Sequence, residues 1–312
     1  MNPFAPGTTK LGFIGLGLMG QRIAQRLLTH GYQVIAYDQD RSKVEKVIES
    51  GASPTANVAE IAASADVILS SLTDDEAVWQ VYGGTKGLLS HVRQGCVIIE
   101  MSTVSPETPR GLHRIAAQRG ASYLDVTISG STPAAEQGTL TLFGGGEEEP
   151  FHAAEPIFQT FARKYFHVGL SGCGATMKLA VNLMLGVGMQ AIAESVAFAH
   201  KSGLERDRFL DVLSQTAVIP PALVGKLERA ARNDYSPQFP LRLMNKDFRL
   251  ILEAAAATWV PLPATAAAFQ VNIAESANET DEDFSAVIRH MEKLARSDAP
   301  IEAWRSTATA GR

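Results

Sequence analysis

Only two cysteines, Cys96 and Cys173, stand among the 312 residues. A pair cannot build a framework of bridges, and neither has neighbours at metal-ligand spacing. A reducing compartment fits, and a cytoplasmic location is expected. Basic charge is not in surplus. The 28 Lys+Arg against 33 Asp+Glu leave a formal charge of −5, which gives no footprint for nucleic acid or an anionic membrane surface. The N-terminal "MNPFAPGTTK" lacks an apolar core, so no secretory signal is expected. The seven histidines show no His-Glu-x-x-His spacing, and no metal is expected. Gly172 to Ser195 is the most hydrophobic stretch. Between Lys178 and Glu194 it is short of the ~20 apolar residues that a membrane span needs. A helix buried in protein is expected there.

A chain of this length exceeds one ordinary core, so two domains are expected. The first half alternates. Short β-type runs, "LGFIG", "QVIAY", "DVILSSL", "CVIIEMS" and "SYLDV", are separated by segments of helical spacing such as "MGQRIAQRLLTHG" and "SKVEKVIESG". This rhythm predicts a doubly wound α/β domain of Rossmann type over residues 1–173, its parallel sheet covered on both faces. "LTLFGGG" and "KYFHVG" read as further strands. After Gly174 the pattern is helical throughout. Helices are predicted at Ala175–His200, Arg206–Gln215, Pro221–Asn233, Leu241–Thr258 and Leu262–Ala277, with a last one beginning near Asp281 or Asp283. Residues 174–297 are therefore expected to form an all-α domain for substrate binding and oligomerisation. The first of its helices, ~40 Å long at 1.5 Å per residue, is expected to join the two domains. A tail over 298–312 has little to bury and is expected to be loose.

"KLGFIGLGLMGQRIAQRL" places Gly15, Gly17 and Gly20 directly after a strand and at the head of a helix. Gly15 permits the tight turn. Gly17 lets a pyrophosphate approach the backbone. Gly20 lets helix and strand pack closely. The next strand, "QVIAYD", closes on Asp38, whose carboxylate would accept hydrogen bonds from the ribose hydroxyls of NAD and repel the 2′-phosphate of NADP. Arg41 could attract that phosphate if it turned inward. NAD is the expected cofactor, with NADP possible.

"GFIGLGLMG" resembles the opening fingerprint of the β-hydroxyacid dehydrogenases, the family of 3-hydroxyisobutyrate dehydrogenase. Three later stretches resemble its other signatures, in order: "DVTISGSTPAAEQGTLTLFGGG", "GLSGCGATMKLAVN" and "FPLRLMNKDFRL". The resemblance runs from Lys10 to about Ala295. It implies that Leu16, Leu18 and Met19 line the cofactor beside the three glycines, together with Leu72, Thr73 and Thr103 at two strand ends. It implies that the Ser129-Gly130-Ser131 loop grips the acid end of a small β-hydroxy acid. It also implies that Lys246 and Asp247 approach the nicotinamide and substrate from the helical domain.

The family's catalytic acid/base matches Lys178, and its substrate-holding asparagine matches Asn182. Residues four apart share a helix face, so these two point the same way. Reducing an aldehyde builds negative charge on oxygen, and an ammonium can stabilise that charge and donate the proton. A lysine in an apolar helix can also lie at the surface with its stem on apolar neighbours. The order of the motifs favours the catalytic reading.

The expected function is hydride transfer between a nicotinamide cofactor and a small β-hydroxy acid or its semialdehyde, in a homodimer or homotetramer. An imine reductase of the same plan is the enzymatic alternative, but such enzymes usually replace the lysine. A non-catalytic scaffold is the other alternative, but it would typically lose the lysine or fill the glycine loop. Ser-Gly-Ser at 129–131 looks like the glyoxylate and succinic semialdehyde reductase branch. Asp38-Gln39 stands where that branch usually carries an Asn-Arg pair for NADP. Thr73 replaces a frequent proline, and Arg22-Ile23 a frequent Pro-Met pair.

Overall fold

Eight short strands form one sheet in the computed structural model, which describes residues 1–277 and 281–295. They are β1 (Lys10–Ile14), β2 (Gln33–Tyr37), β3 (Ser53–Pro54), β4 (Val67–Ser70), β5 (Val97–Glu100), β6 (Ser122–Ser129), β7 (Leu140–Gly145) and β8 (Ala162–Gly169). Their order is β3-β2-β1-β4-β5-β6-β7-β8. β4 and β5 are buried at every position, which is why they read as unbroken apolar runs. Leu11, Phe13, Val67, Leu69, Val97 and Ile99 enter one core. Ile14, Ile68, Ile98 and Tyr123 enter a second. Alternate residues of each strand thus serve opposite faces, and both faces are covered.

The sheet departs from the expected all-parallel form at one pair. β6 and β7 run antiparallel, while β7 and β8 are parallel to each other. The reason is chain length. Ten residues, 130–139, join β6 to β7 and hold only the short helix Thr132–Gln137. A parallel crossover needs a dozen residues or more.

Helices fill the rest. Leu18–Thr29 and Arg41–Ile48 belong to the sheet domain. Cys173–Lys201 follows as a 29-residue helix, and then come Arg206–Ser214, Pro221–Ala231, Leu241–Ala257 and Pro263–Ser276. The last predicted helix is a 3-10 turn at Phe284–Ala286 leading into Val287–Leu294, with the Asp283 carboxylate accepting from the N–H of Ser285. The segments 278–280 and 296–312, with the expected loose tail, lie outside the described residues. The chain divides into two compact units, Met1–Leu179 and Ala180 onward, so the division falls inside the long helix.

That helix is the one, among the described residues, long and apolar enough to cross a membrane by length and composition. Within the second unit it is a core element. Met189, Ala193 and Val196 are fully buried, and a Cβ on Gly186 would stand 2.5 Å from the ring of Phe248.

Candidate active site

The carboxyl ends of β1, β2, β4 and β5 finish level, and β6 runs on four residues further to Ser129. Ile14 pairs with Tyr37 and with Ser70, Ser70 with Glu100, and Glu100 with Asp125. Strand order reverses between β1 and β4, the crevice where such sheets receive ligands. The sequence-predicted residues Gly15, Asp38, Leu72, Thr73 and Thr103 all lie within three residues of these ends. Here the fold brings them to one edge.

The glycine loop has the form that a dinucleotide needs. Gly15 sits at φ +88°, and a Cβ there would meet the Ser71 carbonyl at 2.3 Å. At Gly17 an added Cβ would meet nothing within 4 Å. Gly17 also opens the helix Leu18–Thr29 without a side-chain cap, which leaves first-turn N–H groups for an anion. At Gly20 a Cβ would stand 2.0 Å from the Gly15 carbonyl, so helix and loop touch. Leu16 is buried, Met19 half-buried and Leu18 exposed. These features fit a nicotinamide dinucleotide, whose pyrophosphate would rest on the loop at Gly17.

Asp38 does more than the sequence suggested. Its Oδ2 accepts the N–H of Leu16 at 2.7 Å, and its Oδ1 accepts the N–H of Asp40 at 2.8 Å. The same carboxylate therefore pins the glycine loop to the end of β2. A carboxylate has about four acceptor positions, so two remain for a ribose. Lys43 stands 3.8 Å from Oδ1, a cation that sequence reading passed over. Arg41 is exposed at the head of its helix.

Two neighbouring turns are tied together. The Leu72 N–H donates to Ser102 Oγ at 2.7 Å, and the Ser102 N–H donates to Glu100 Oε1 at 2.8 Å. Thr73 is exposed and Thr103 half-buried. Burial pushes the Glu100 carboxyl up to about 7.

β6 serves two places. Its end carries Ser129, followed by exposed Gly130 at φ +136° and exposed Ser131. Four residues earlier, Asp125 is 1% exposed. Its Oδ1 accepts from Gly172 N–H and its Oδ2 from Ala175 N–H, both at 2.9 Å. Thr127 Oγ1 donates to the Gly174 carbonyl at 2.9 Å. A Cβ on Gly174 would stand 2.2 Å from the Asp125 carbonyl, so glycine is required where this helix meets the sheet. Burial raises the Asp125 carboxyl, against the lowering by those two N–H groups. Lys178, half-buried, follows Ala175 by less than one turn.

In the second unit, Asn182 Nδ2 donates to Asp247 Oδ2 at 2.5 Å. Both residues are 2% exposed. Lys246 Nζ lies 3.2 Å from Asp247 Oδ1. Asp247 is thus enclosed between Asn182 and Lys246. Of the lysine-aspartate pair, Lys246 is the member with solvent access, at 17% of its side chain. No cluster of metal-ligating side chains occurs among the described residues.

Sequence reading missed Glu100, Ser102 and Asp125. The available signal was an acid closing or interrupting a strand otherwise buried on both faces.

Known families match both parts of the chain. The NAD binding domain of 6-phosphogluconate dehydrogenase matches residues 10–169. The NAD-binding domain of NADP-dependent 3-hydroxyisobutyrate dehydrogenase matches residues 172–291. The chain is 36% identical over 287 residues to 2-(hydroxymethyl)glutarate dehydrogenase of Eubacterium barkeri, covering 91% of this chain and 95% of that protein. It is 34% identical over 280 residues to glyoxylate/succinic semialdehyde reductase 1 of Arabidopsis thaliana, covering 89% and 97%. The solved structure of Mycobacterium tuberculosis 3-hydroxyisobutyrate dehydrogenase with L-serine superposes with a TM-score of 0.84 at 31% identity, covering 91% and 99%. With its glycine loop, strand-end turns and both family matches in order, the chain belongs to the 3-hydroxyisobutyrate dehydrogenase family of NAD(P)-dependent oxidoreductases.

Proposed function

We propose that this protein interconverts a small β-hydroxy acid and its semialdehyde, with Lys178 as general acid and base. The named substrates of the relatives pair a carboxylate with a primary alcohol or an aldehyde, and this supports the substrate class. The bound nicotinamide supplies or takes the hydride. In the reducing direction Lys178 donates its proton to the carbonyl oxygen as the C–H bond forms. In the oxidising direction its neutral amine takes the alcohol proton. Asn182, turned by Asp247, holds the reacting oxygen beside that amine. Ser129, Gly130 and Ser131 offer hydroxyls and backbone N–H groups to the substrate carboxylate. Lys246 supplies a second positive charge toward the substrate and nicotinamide.

The observation that carries this reading is the setting of Lys178. It lies on a helix whose first turn is clamped to β6 by Asp125. That strand also ends in the carboxylate loop. An imine reductase would not need this lysine.

Asp38 supports NAD over NADP, since its charge opposes a 2′-phosphate. The long helix supports a homodimer or homotetramer. Met184 and Phe198 on it are 72% and 74% exposed, more apolar surface than a lone chain usually shows on one element. Light scattering at micromolar concentration checks this, and a monomer would refute it. The two unbridged cysteines support a reducing, cytoplasmic setting.

The deciding assay follows oxidation of NADH and NADPH with a panel of semialdehydes, glyoxylate and cyclic imines. Turnover of a semialdehyde is expected. Turnover of imines alone, or of nothing, would overturn the proposal.

A further inference from the structure

The sheet buries a carboxyl group that the proposed chemistry does not use. Glu100 closes β5 and is 0% exposed. Its Oε1 accepts the Ser102 N–H, and Ser102 Oγ accepts the Leu72 N–H. Glu100 therefore holds the turn after β5 directly and, through Ser102, the turn after β4. Its Oε2 is buried and has no hydrogen-bond partner among the described residues.

The groups that bear on it are acids. Asp125 stands in register on β6. Asp75 acts from the helix Asp75–Tyr82, and Asp125 and Asp75 both push the Glu100 carboxyl up. The phenols of Tyr82 and Tyr123 also face it. Tyr82 is committed to Ser70 Oγ at 2.6 Å, and the Tyr123 hydroxyl has no partner among the described residues. Neighbouring buried carboxyls do not both ionise cheaply. Asp125 is held by the Gly172 and Ala175 N–H groups at the start of the long helix and by the Ser171 side chain, whereas Ser102 alone, through its N–H and its side chain, answers Glu100. The charge belongs on Asp125 and the proton on Glu100.

We infer that Glu100 is a positioning residue whose proton keeps the Leu72–Thr73 and Ser102–Thr103 turns in their dinucleotide-binding arrangement. An ionised Glu100 would be a buried charge with one oxygen unanswered. Water must then enter, and the two turns loosen. An anionic dinucleotide bound beside them favours the protonated form further. By linkage, binding draws a proton onto Glu100, and affinity weakens as pH rises through neutrality. This rests on the proposed place of the cofactor along those turns. It is independent of the substrate.

The test is a fluorescence titration of NADH and NADPH binding to the intact protein from about pH 6 to about pH 9. Wild-type affinity is expected to fall about tenfold over this range, on the scale of one pK unit of coupling. Glu100→Gln keeps the acceptor and fixes the neutral state. It should bind with the acidic-plateau affinity of wild type at every pH. Titration of the NADPH 2′-phosphate is common to both proteins and cancels in their ratio. A purely structural Glu100 would shift affinity equally at all pH values and leave the slope. A flat wild-type profile overturns the inference without any variant, as does a Glu100→Gln profile with the wild-type slope. Calorimetry in two buffers of different ionisation enthalpy gives a second reading: proton uptake on binding in wild type and none in Glu100→Gln. Failure of these outcomes with semialdehyde turnover intact would reject the role of Glu100 alone.

Discussion

Asn182 gives its amide hydrogen to Asp247 across 65 residues of sequence, in a place nearly sealed from water. This bond fixes which way the asparagine amide is turned. Nδ2 gives one of its two hydrogens to Asp247 and has a second left for an acceptor such as a carbonyl oxygen. Asp247→Ala leaves the amide turned by nothing and Lys246 without its carboxylate. Steady-state kinetics should show kcat/KM lowered by about tenfold or more, on the scale of a lost charge-assisted hydrogen bond. Denaturant unfolding should show a stability loss of about 1–3 kcal/mol. Unchanged kinetics would mean that Asn182 is oriented by something else.

Lys178→Ala should lower kcat by about 10²–10⁴, the usual scale for a general acid, with electrostatic stabilisation adding to it. NADH affinity should barely move, because the glycine loop and Asp38 are untouched. Lys178→Arg should not restore turnover, since a guanidinium holds its proton at any working pH. Near wild-type kcat in either variant would remove Lys178 from the chemistry.

Asp38→Ala should move preference toward NADP by about 1–3 kcal/mol, through lost repulsion of the 2′-phosphate. The Lys43 cation beside it, which keeps Asp40 Oδ2 at 3.8 Å, would then face that phosphate without the Asp38 charge. The change also deprives the Leu16 N–H of its acceptor, so both dinucleotides should bind somewhat less tightly. A ratio of NADH to NADPH affinities that does not change would sink this role. So would a wild type that already prefers NADPH.

Glu100 makes stability itself depend on pH. Its carboxyl is raised from 4.5 to about 7 by burial first, with Asp125 and Asp75 adding. The folded state therefore holds a proton that the unfolded chain has released across this window. Stability is greatest at the acid end of the window and falls as pH rises toward 7, by an amount on the order of 3 kcal/mol. Above the window this contribution stays flat. Glu100→Gln should erase the slope, making the variant more stable than wild type at pH 8. Urea unfolding at a series of pH values reads it directly.

The sequence pattern revealed some of this and concealed the rest for identifiable reasons. β4 and β5 were legible because a strand buried on both faces reads as a continuous apolar run. The long helices were legible by length and by the spacing of their apolar residues. The direction of β7 was not, because an apolar run carries no arrow; only the ten-residue connection before it gave a hint. The two-residue β3, Ser53–Pro54, is too short to leave a pattern. Within the candidate site, Lys178 and Asn182 could be paired from spacing alone. The partner of Asn182 could not, since nothing local links positions 182 and 247. Glu100 and Asp125 stand inside the runs "CVIIEMS" and "SYLDV", where neither was read as a site residue. Their burial depends on the neighbours the fold supplies, which no local window contains.

The Asp125 clamp also orders events in time. The long helix can nucleate from its own apolar middle, where the backbone hydrogen bonds are local. Its first turn is different, because the acceptor for Gly172 and Ala175 arrives from 47 and 50 residues upstream. Closing a loop of that size waits until β6 has joined the sheet. A refolding chain should therefore regain most of its helical signal before Lys178 is seated, and activity should be the last property to return.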